Sequence, residues 1–267
     1  MKNRGIGAKL TLSIVVLLTL TCAVLGVSSY YNSYNSLEIQ IRDNLQSKAG
    51  DVSHYIEEFF KRTNSEIQGI AEQSVIQNMN FAEQTAYLNK RLAESEDYLG
   101  FGIVDANGVA RYLDDTTADL ADRAYIQAAF EGKTAMSDTI ISRVTNEPVI
   151  MIATPIETVT GEKALLLARM DGYFLSSVLE DIVVGKTGYA YLINEEGTIQ
   201  AHPNHDYVRE QVNFLTQANE SGEMTGEALA IEELISNEKG FFEFKDSEGD
   251  NHFLGYHTLD NGWSIGI

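Results

Sequence analysis

Between Leu37 and about Ala71 one side of the chain is marked at helical spacing. Ile41, Leu45, Ala49, Val52, Ile56, Phe59, Thr63, Ile67 and Ile70 follow one another at steps of three or four, which stacks their side chains on a single helix face. Glu38, Arg42, Asp43, Lys48, Glu57, Lys61 and Glu66 fall on the other face, and no proline interrupts the run. The pattern predicts one helix of about 35 residues, ~50 Å long. Gly50 and Gly69 weaken it without ending it. A single apolar stripe of that length has to lie along more than one packed unit, or against a second copy of itself.

Upstream, Leu10–Val27 carries no charge over 18 residues, the lower limit for crossing a bilayer. Tyr30, Tyr31 and Tyr34 follow as an interfacial aromatic group. A cleaved signal peptide is the alternative, but no A-x-A-like site ends the run. The pattern therefore predicts an uncleaved anchor: a cytoplasmic N-terminus at 1–9, a transmembrane helix at 10–30 and a stalk helix at 31–74. The basic residues Lys2, Arg4 and Lys9 place the N-terminus inside and everything after Tyr31 outside.

Beyond the stalk, Ile76–Ala93 reads as a second helical region, after which the period changes. Leu99–Leu113 reads as strand, Asp-Ala-Asn-Gly turn and strand, with Gly108 where a positive φ is needed. A helix is predicted from Asp119 to Gly132, then strands at Met136–Val144, Pro148–Ile156 and Lys163–Met170, with Asp171 just past the last. Tyr173–Val184 reads as a connecting helix. Gly188–Ala201 repeats the strand, turn and strand pattern, and its Gly197 lies 89 residues after Gly108. A helical and irregular section, Asp206–Ser236, precedes the strands Gly240–Lys245, Asn251–Thr258 and Trp263–Ile267. Two copies of one strand-rich unit in tandem is the economical reading. The fold class is α+β, antiparallel sheets with helices packed to one side.

Composition changes this picture little. The net charge of −20 describes a surface that repels nucleic acid and anionic lipid heads. Cys22, the single cysteine, sits inside the apolar run, so no intrachain disulfide forms, and a lipoprotein reading of it is disfavoured. No phosphate loop, Gly-x-Ser-x-Gly elbow or Cys/His dyad is present. No cofactor or catalytic residue is expected, and the chain is not read as an enzyme. His202, His205 and Asp206 resemble a metal cluster, but three close ligands rarely complete a site, and a structural role is favoured. Asp246–Asp250 lacks the ligand spacing of a calcium loop. The chain stops inside an apolar strand with an acidic outer module and no inner output, so it is expected to be the front part of a longer receptor.

Four stretches in this order, the basic N-terminus with its span and stalk, Asp122–Lys133, Ser142–Pro155 and Thr187–Pro203, resemble the double Cache sensor region of bacterial methyl-accepting chemotaxis receptors. Histidine kinases and diguanylate cyclases carry similar sensors. The resemblance implies a membrane-distal, ligand-binding Cache module at 75–176 and a membrane-proximal one at 177–267, both PAS-like, with the long helix beside both. In amino-acid-binding members the distal pocket uses an Arg-x-Trp-Tyr cluster and a later Asp. Arg123 matches the arginine, Tyr125 stands at the tryptophan position, Ile126 at the tyrosine position and Asp171 at the aspartate. Ala118 replaces another tyrosine, and Ser142 stands where some members carry a further aspartate.

A guanidinium fork takes a carboxylate in two parallel hydrogen bonds and a fixed carboxylate takes an ammonium, so Arg123 with Asp171 can read a small zwitterion. The competing reading pairs Arg123 with Asp119 or Asp122 nearby. Tyr125 walls the pocket or fills the core. Asp138 and Ser142, on the hairpin that follows, complete the candidate ligand-binding set, while Tyr112 and Phe101 are assigned to the core. The implied function is extracytoplasmic sensing of an amino acid, organic acid or similar ligand, in a homodimeric membrane receptor that moves a helix through the bilayer. An anchored extracellular hydrolase and a structural stalk protein are the alternatives from other classes.

Overall fold

A computed structural model of the chain describes residues 6–267, with side chains from Leu10 onward, so the expected cytoplasmic segment 1–9 falls outside the residues described with side chains. Helix α1 runs from Ile6 to Ala71 without a break. The span and stalk read separately from the sequence are thus one element, and Gly50 and Gly69 are carried inside it.

The chain divides into a segment ending at Leu45 and a unit from Gln46 to Ile267. In the first, the apolar side chains of Leu10–Val27 are exposed and an 18-residue window has mean hydropathy 2.5, long and apolar enough to cross a membrane. Thr19 and Thr21 donate their hydroxyls to the carbonyls of Val15 and Leu17, at 2.8 and 2.7 Å. Internal satisfaction of this kind is what a lipid-facing helix requires.

In the second unit the stripe on α1 is buried, Ile56 and Ile67 completely. Phe59 stacks on Phe174 at 4.7 Å, and Phe60 meets Trp263 edge-on at 5.5 Å. Glu66 accepts from Arg91 and from the Tyr98 hydroxyl at 3.1 and 3.0 Å, and Glu57 accepts from the Asp260 amide at 3.0 Å. One helix therefore touches residues from both halves of the unit, which is how a stripe that long is covered within a single chain.

Two short helices follow, α2 (Ser74–Gln77) and α3 (Phe81–Glu94), where one region was expected. Met79 at φ +56° breaks the run, and Asn80 restarts it as the N-cap of α3 by accepting from the Glu83 amide. Next come β1 (Gly100–Val104), β2 (Val109–Tyr112) and β3 (Thr117–Asp119), then α4 (Ala124–Phe130). The helix expected from Asp119 starts five residues later. Thr117–Asp119 pairs with β2 instead, and the Asp119 carboxylate accepts from the Ala121 amide, a local bond that competes with helix. With β4 (Ala135–Ile141), β5 (Pro148–Glu157) and β6 (Lys163–Asp171), these strands form an antiparallel sheet in the order β3-β2-β1-β6-β5-β4.

Helix α5 (Phe174–Glu180) leads to β7 (Tyr191–Ile193), β8 (Ile199–Ala201), α6 (His205–Arg209), α7 (Phe214–Ser221) and α8 (Gly226–Ser236). Strands β9 (Lys239–Lys245), β10 (Asn251–Thr258) and β11 (Ser264–Gly266) complete a second antiparallel sheet, ordered β8-β7-β11-β10-β9. The repeat seen in the sequence is real at its turns. Asp105 accepts from the amides of Asn107 and Val109, and Asn194 accepts in the same way from Glu196 and Thr198. Gly108 and Gly197 follow at φ +84° and +83°. A side chain at Gly108 would in addition meet the Ala121 Cα at 2.6 Å.

Candidate functional site

Strand alternation decides what the first sheet presents to α4. Leu165, Leu167, Arg169 and Asp171 share one face of β6. Register sets Met151 and Val149 of β5 beside Arg169 and Asp171, and Gly102 and Gly100 of β1 beside Leu167 and Arg169 on the other side. Helix α4 packs Tyr125, Ile126 and Ala129 onto this face, against Val149, Met151, Leu165 and Leu167. The two glycines leave the β1 side bare, so the Arg169 guanidinium lies over Gly100 and 5.5 Å from the Tyr112 ring.

Arg123, half-buried, is the N-cap residue of α4. The Nε atoms of Arg123 and Arg169 are both buried and have no hydrogen-bond partner among the described residues. Tyr112 and Tyr125, both buried, belong to the same cluster. Burial pushes the Tyr112 hydroxyl up, with Arg169 pulling it back, and burial also pushes up Tyr125, with Tyr112 adding to the rise and Arg123 opposing it. Two guanidinium groups near two protonated phenols thus leave two buried Nε–H donors unpaired among the described residues, although Asp114 and Asp122 feel the Arg169 and Arg123 charges. A buried donor left unpaired costs roughly 1–3 kcal/mol, and a carboxylate is the acceptor that a guanidinium fork fits best.

Arg123 makes no ion pair among the described residues, although its charge still helps to lower the Asp122 carboxyl. Arg143 forks the Asp122 carboxylate, Nη1 to Oδ1 at 2.8 Å and Nη2 to Oδ2 at 2.6 Å, and its Nη1 also bonds the Asp119 backbone carbonyl at 2.6 Å, while the Asp119 carboxylate accepts from the Ala121 amide. That fork holds the Asp122 carboxyl at about 2. Arg123 stands near Tyr125, whose hydroxyl pKa its charge pulls back against burial. Asp171 lies on the same sheet face, as the last residue of β6, and its Oδ1 accepts from the Tyr173 amide at 2.9 Å. No hydrogen bond or ion pair joins it to Arg123 among the described residues. Ser142 fixes its own turn, its hydroxyl accepting from the amides of Val144 and Thr145 at 3.2 Å each. Asp138 is not brought to this face: Oδ1 accepts from the Trp263 indole at 2.9 Å and Oδ2 from Asn194 Nδ2 at 2.8 Å, both in the second half of the unit. A bulge between Met136 and Thr139 in β4 redirects it.

Arg169 and Tyr112 are the residues that sequence reasoning missed or assigned only to the core. The signal was present as parity, since Arg169 follows Leu165 and Leu167 at a period of two and precedes Asp171 by the same step. The three residues with metal-ligand chemistry separate. His202 Nδ1 accepts from the Asn204 amide at 2.8 Å, while the His205 ring stacks on Tyr173 at 4.6 Å.

Comparison with known proteins gives a consistent result. The family model described as Cache domain matches residues 33–267. A methyl-accepting chemotaxis protein of Pseudomonas syringae pv. tomato, PscA, is 21% identical over 230 residues, which are 85% of this chain and 37% of that protein, so the chain spans little more than a third of its relative. Among solved structures, the ligand-binding domain of the Pseudomonas fluorescens chemoreceptor CtaA in complex with L-isoleucine is similar at TM-score 0.66 and 19% identity, covering 88% of this chain and 94% of that one. The extracellular domain of the putative histidine kinase mmHK1S-Z2 is similar at TM-score 0.65 and 12% identity, covering 84% and 95%.

Proposed function

The chain belongs to the Cache domain family, and from that premise we propose that it is the extracytoplasmic, small-molecule-sensing region of a transmembrane chemoreceptor. In this reading the arrangement is a double Cache one. Residues 75–176 are the membrane-distal, ligand-binding module, 177–267 the membrane-proximal one, and 10–30 the membrane span. The ligand is a small zwitterion of the amino acid type. Arg123 and Arg169 take its carboxylate, Tyr125 and Tyr112 wall it, and Asp171 takes its ammonium. Ser142 shapes the adjoining turn. No residue is assigned a catalytic role.

The observation that carries this reading is that the Nε atoms of Arg123, at the start of α4, and Arg169, on the sheet face that α4 covers, are buried and unpartnered among the described residues. A ligand carboxylate pairs them, and each charge-assisted bond contributes ~1.5–3 kcal/mol where water is excluded. Transmission follows from the continuity of α1, which holds the apolar span and continues into the stretch where Phe59 and Phe60 pack on Phe174 and Trp263. A ligand shifts the signalling equilibrium only by its differential affinity for the two states, and ~1–3 kcal/mol of coupling is sufficient for a response. The receptor acts as a homodimer, with the ligand-bound state displacing one helix relative to its copy.

The test is a thermal-shift screen of the full chain in lipid nanodiscs against L-amino acids and small organic acids. One or more zwitterions are expected to raise the Tm, and Arg123→Ala is expected to remove that rise while the unliganded Tm stays close to wild type. A wild-type chain silent to every zwitterion at millimolar concentration refutes the ligand class. An undiminished response in Arg123→Ala refutes the site. A histidine-kinase output is the second reading, favoured by the fold match to a kinase extracellular domain. A deletion strain scored for migration toward the ligand separates the two, because only the chemoreceptor reading requires that migration to be lost.

A further inference from the structure

The second sheet holds a cavity of about 150 Å³, roughly the size that accommodates a benzene-sized guest. Six elements and the residues flanking them build its wall. Tyr189 precedes β7 and Tyr191 begins it, His202 follows β8, and Tyr207 comes from α6, Phe214 from α7, Glu227 from α8 and Phe244 from β9. The rings stand in different planes around His202: Tyr207 at 4.8 Å and 46°, Tyr189 at 5.1 Å and 70°, Tyr191 at 6.2 Å and 49°. Phe214 closes edge-on against Tyr207 at 5.7 Å and 85°. Tyr189, 46% exposed, and the half-buried Glu227 are where the cavity meets solvent.

The charge pattern of this wall is the opposite of that on the first sheet. Its lining contains one carboxylate, Glu227, and neither lysine nor arginine. His202 adds no positive charge: its Nδ1 accepts the Asn204 amide, which leaves the proton on Nε2, and burial lowers its pKa to about 4. An anionic guest would face π-clouds and a carboxylate with nothing to pair it. A cation gains from both, because the ring faces are negative and the attraction strengthens when water is excluded.

We infer that this cavity is a second ligand site, which takes a small organic cation of the methylated-ammonium class, with Tyr189, Tyr191, Tyr207 and Phe244 as the aromatic cage and Glu227 as the charge at its mouth. Glu227 is pre-set for that role at the start of α8, where Ser247 donates to Oε1 from both its amide and its hydroxyl at 3.3 Å. The site is independent of the zwitterion reading. It lies in the other sheet and its chemistry excludes a free carboxylate. A chain with both sites reads two ligands of different charge against one helix.

The experiment is titration calorimetry on the full chain in nanodiscs with choline, with its uncharged tert-butyl analogue, and with acetate. Choline is expected to bind, the tert-butyl analogue at least about tenfold more weakly, and acetate not at all. Tyr207→Leu and Phe244→Leu should each weaken choline about tenfold or more, Tyr207→Phe should retain it, and Glu227→Gln should weaken it severalfold. Retained Tm and any retained amino-acid response show that the variants are folded. Equal binding of choline and its neutral analogue, acetate binding that competes with choline, no choline binding at tens of millimolar, or unchanged choline binding in both leucine variants would each overturn the inference. Choline binding in a chain silent to amino acids would leave this site standing while the first falls.

Discussion

Trp263 donates its indole Nε1–H to Asp138 Oδ1 at 2.9 Å, tying the last strand region of the second sheet to the edge strand of the first. Asp138 Oδ2 receives Asn194 Nδ2 at 2.8 Å, so one carboxylate bridges the two halves of the unit. Asp138→Ala leaves two donors unpaired and is expected to cost about 2–4 kcal/mol, lowering the Tm by several degrees. Amino-acid affinity should be unchanged. Calorimetry and thermal melts on one sample distinguish this from direct ligand contact, which would lower affinity at constant Tm.

The two guanidinium groups of the first sheet make a separable prediction. Arg123→Lys keeps the charge and loses the fork, so zwitterion affinity should drop by ~1.5–3 kcal/mol, roughly 10- to 150-fold. Arg169→Lys should do the same and also lose the contact over Tyr112. Titrations giving wild-type affinity for both lysine variants would remove the carboxylate role from this face.

Gly108 and Gly161 both have positive φ, +84° and +77°, yet only Gly108 is hemmed in by backbone. Gly161→Ala is expected to cost about 1 kcal/mol from conformation alone. Gly108→Ala adds the clash with Ala121, beyond that figure by a further ~1–3 kcal/mol. Urea unfolding of the two variants side by side checks the difference, and equal midpoints would contradict it.

Acid should destabilise the second sheet through His202. Its pKa is 6.5 unfolded and about 4 folded, because burial among Tyr189, Tyr191 and Tyr207 disfavours the imidazolium. Between those values the unfolded chain binds a proton that the folded chain does not. The contribution is therefore complete above about pH 6.5 and is lost as pH falls towards 4, on the order of 3 kcal/mol in all. Thermal melts across this window should show a steeper decline for wild type than for His202→Gln. Parallel profiles would show that the imidazole does not titrate as described.

The local pattern of this chain was legible because it is periodic. The stripe from Ile41 to Ile70 required a long helix, the Gly108 and Gly197 turns required two related sheets, and Leu10–Val27 required an apolar span. These follow from short-range geometry, where side-chain spacing and positive-φ glycines act within a few residues. Which groups meet is a different matter. Arg143 forking Asp122, Arg169 lying over Gly100 beside Tyr112, a bulge in β4 sending Asp138 to Trp263, and one cavity wall drawn from six elements all depend on contacts between residues far apart in sequence. No local period records them, because pairing between distant strands and helices is fixed only when the sheets pack.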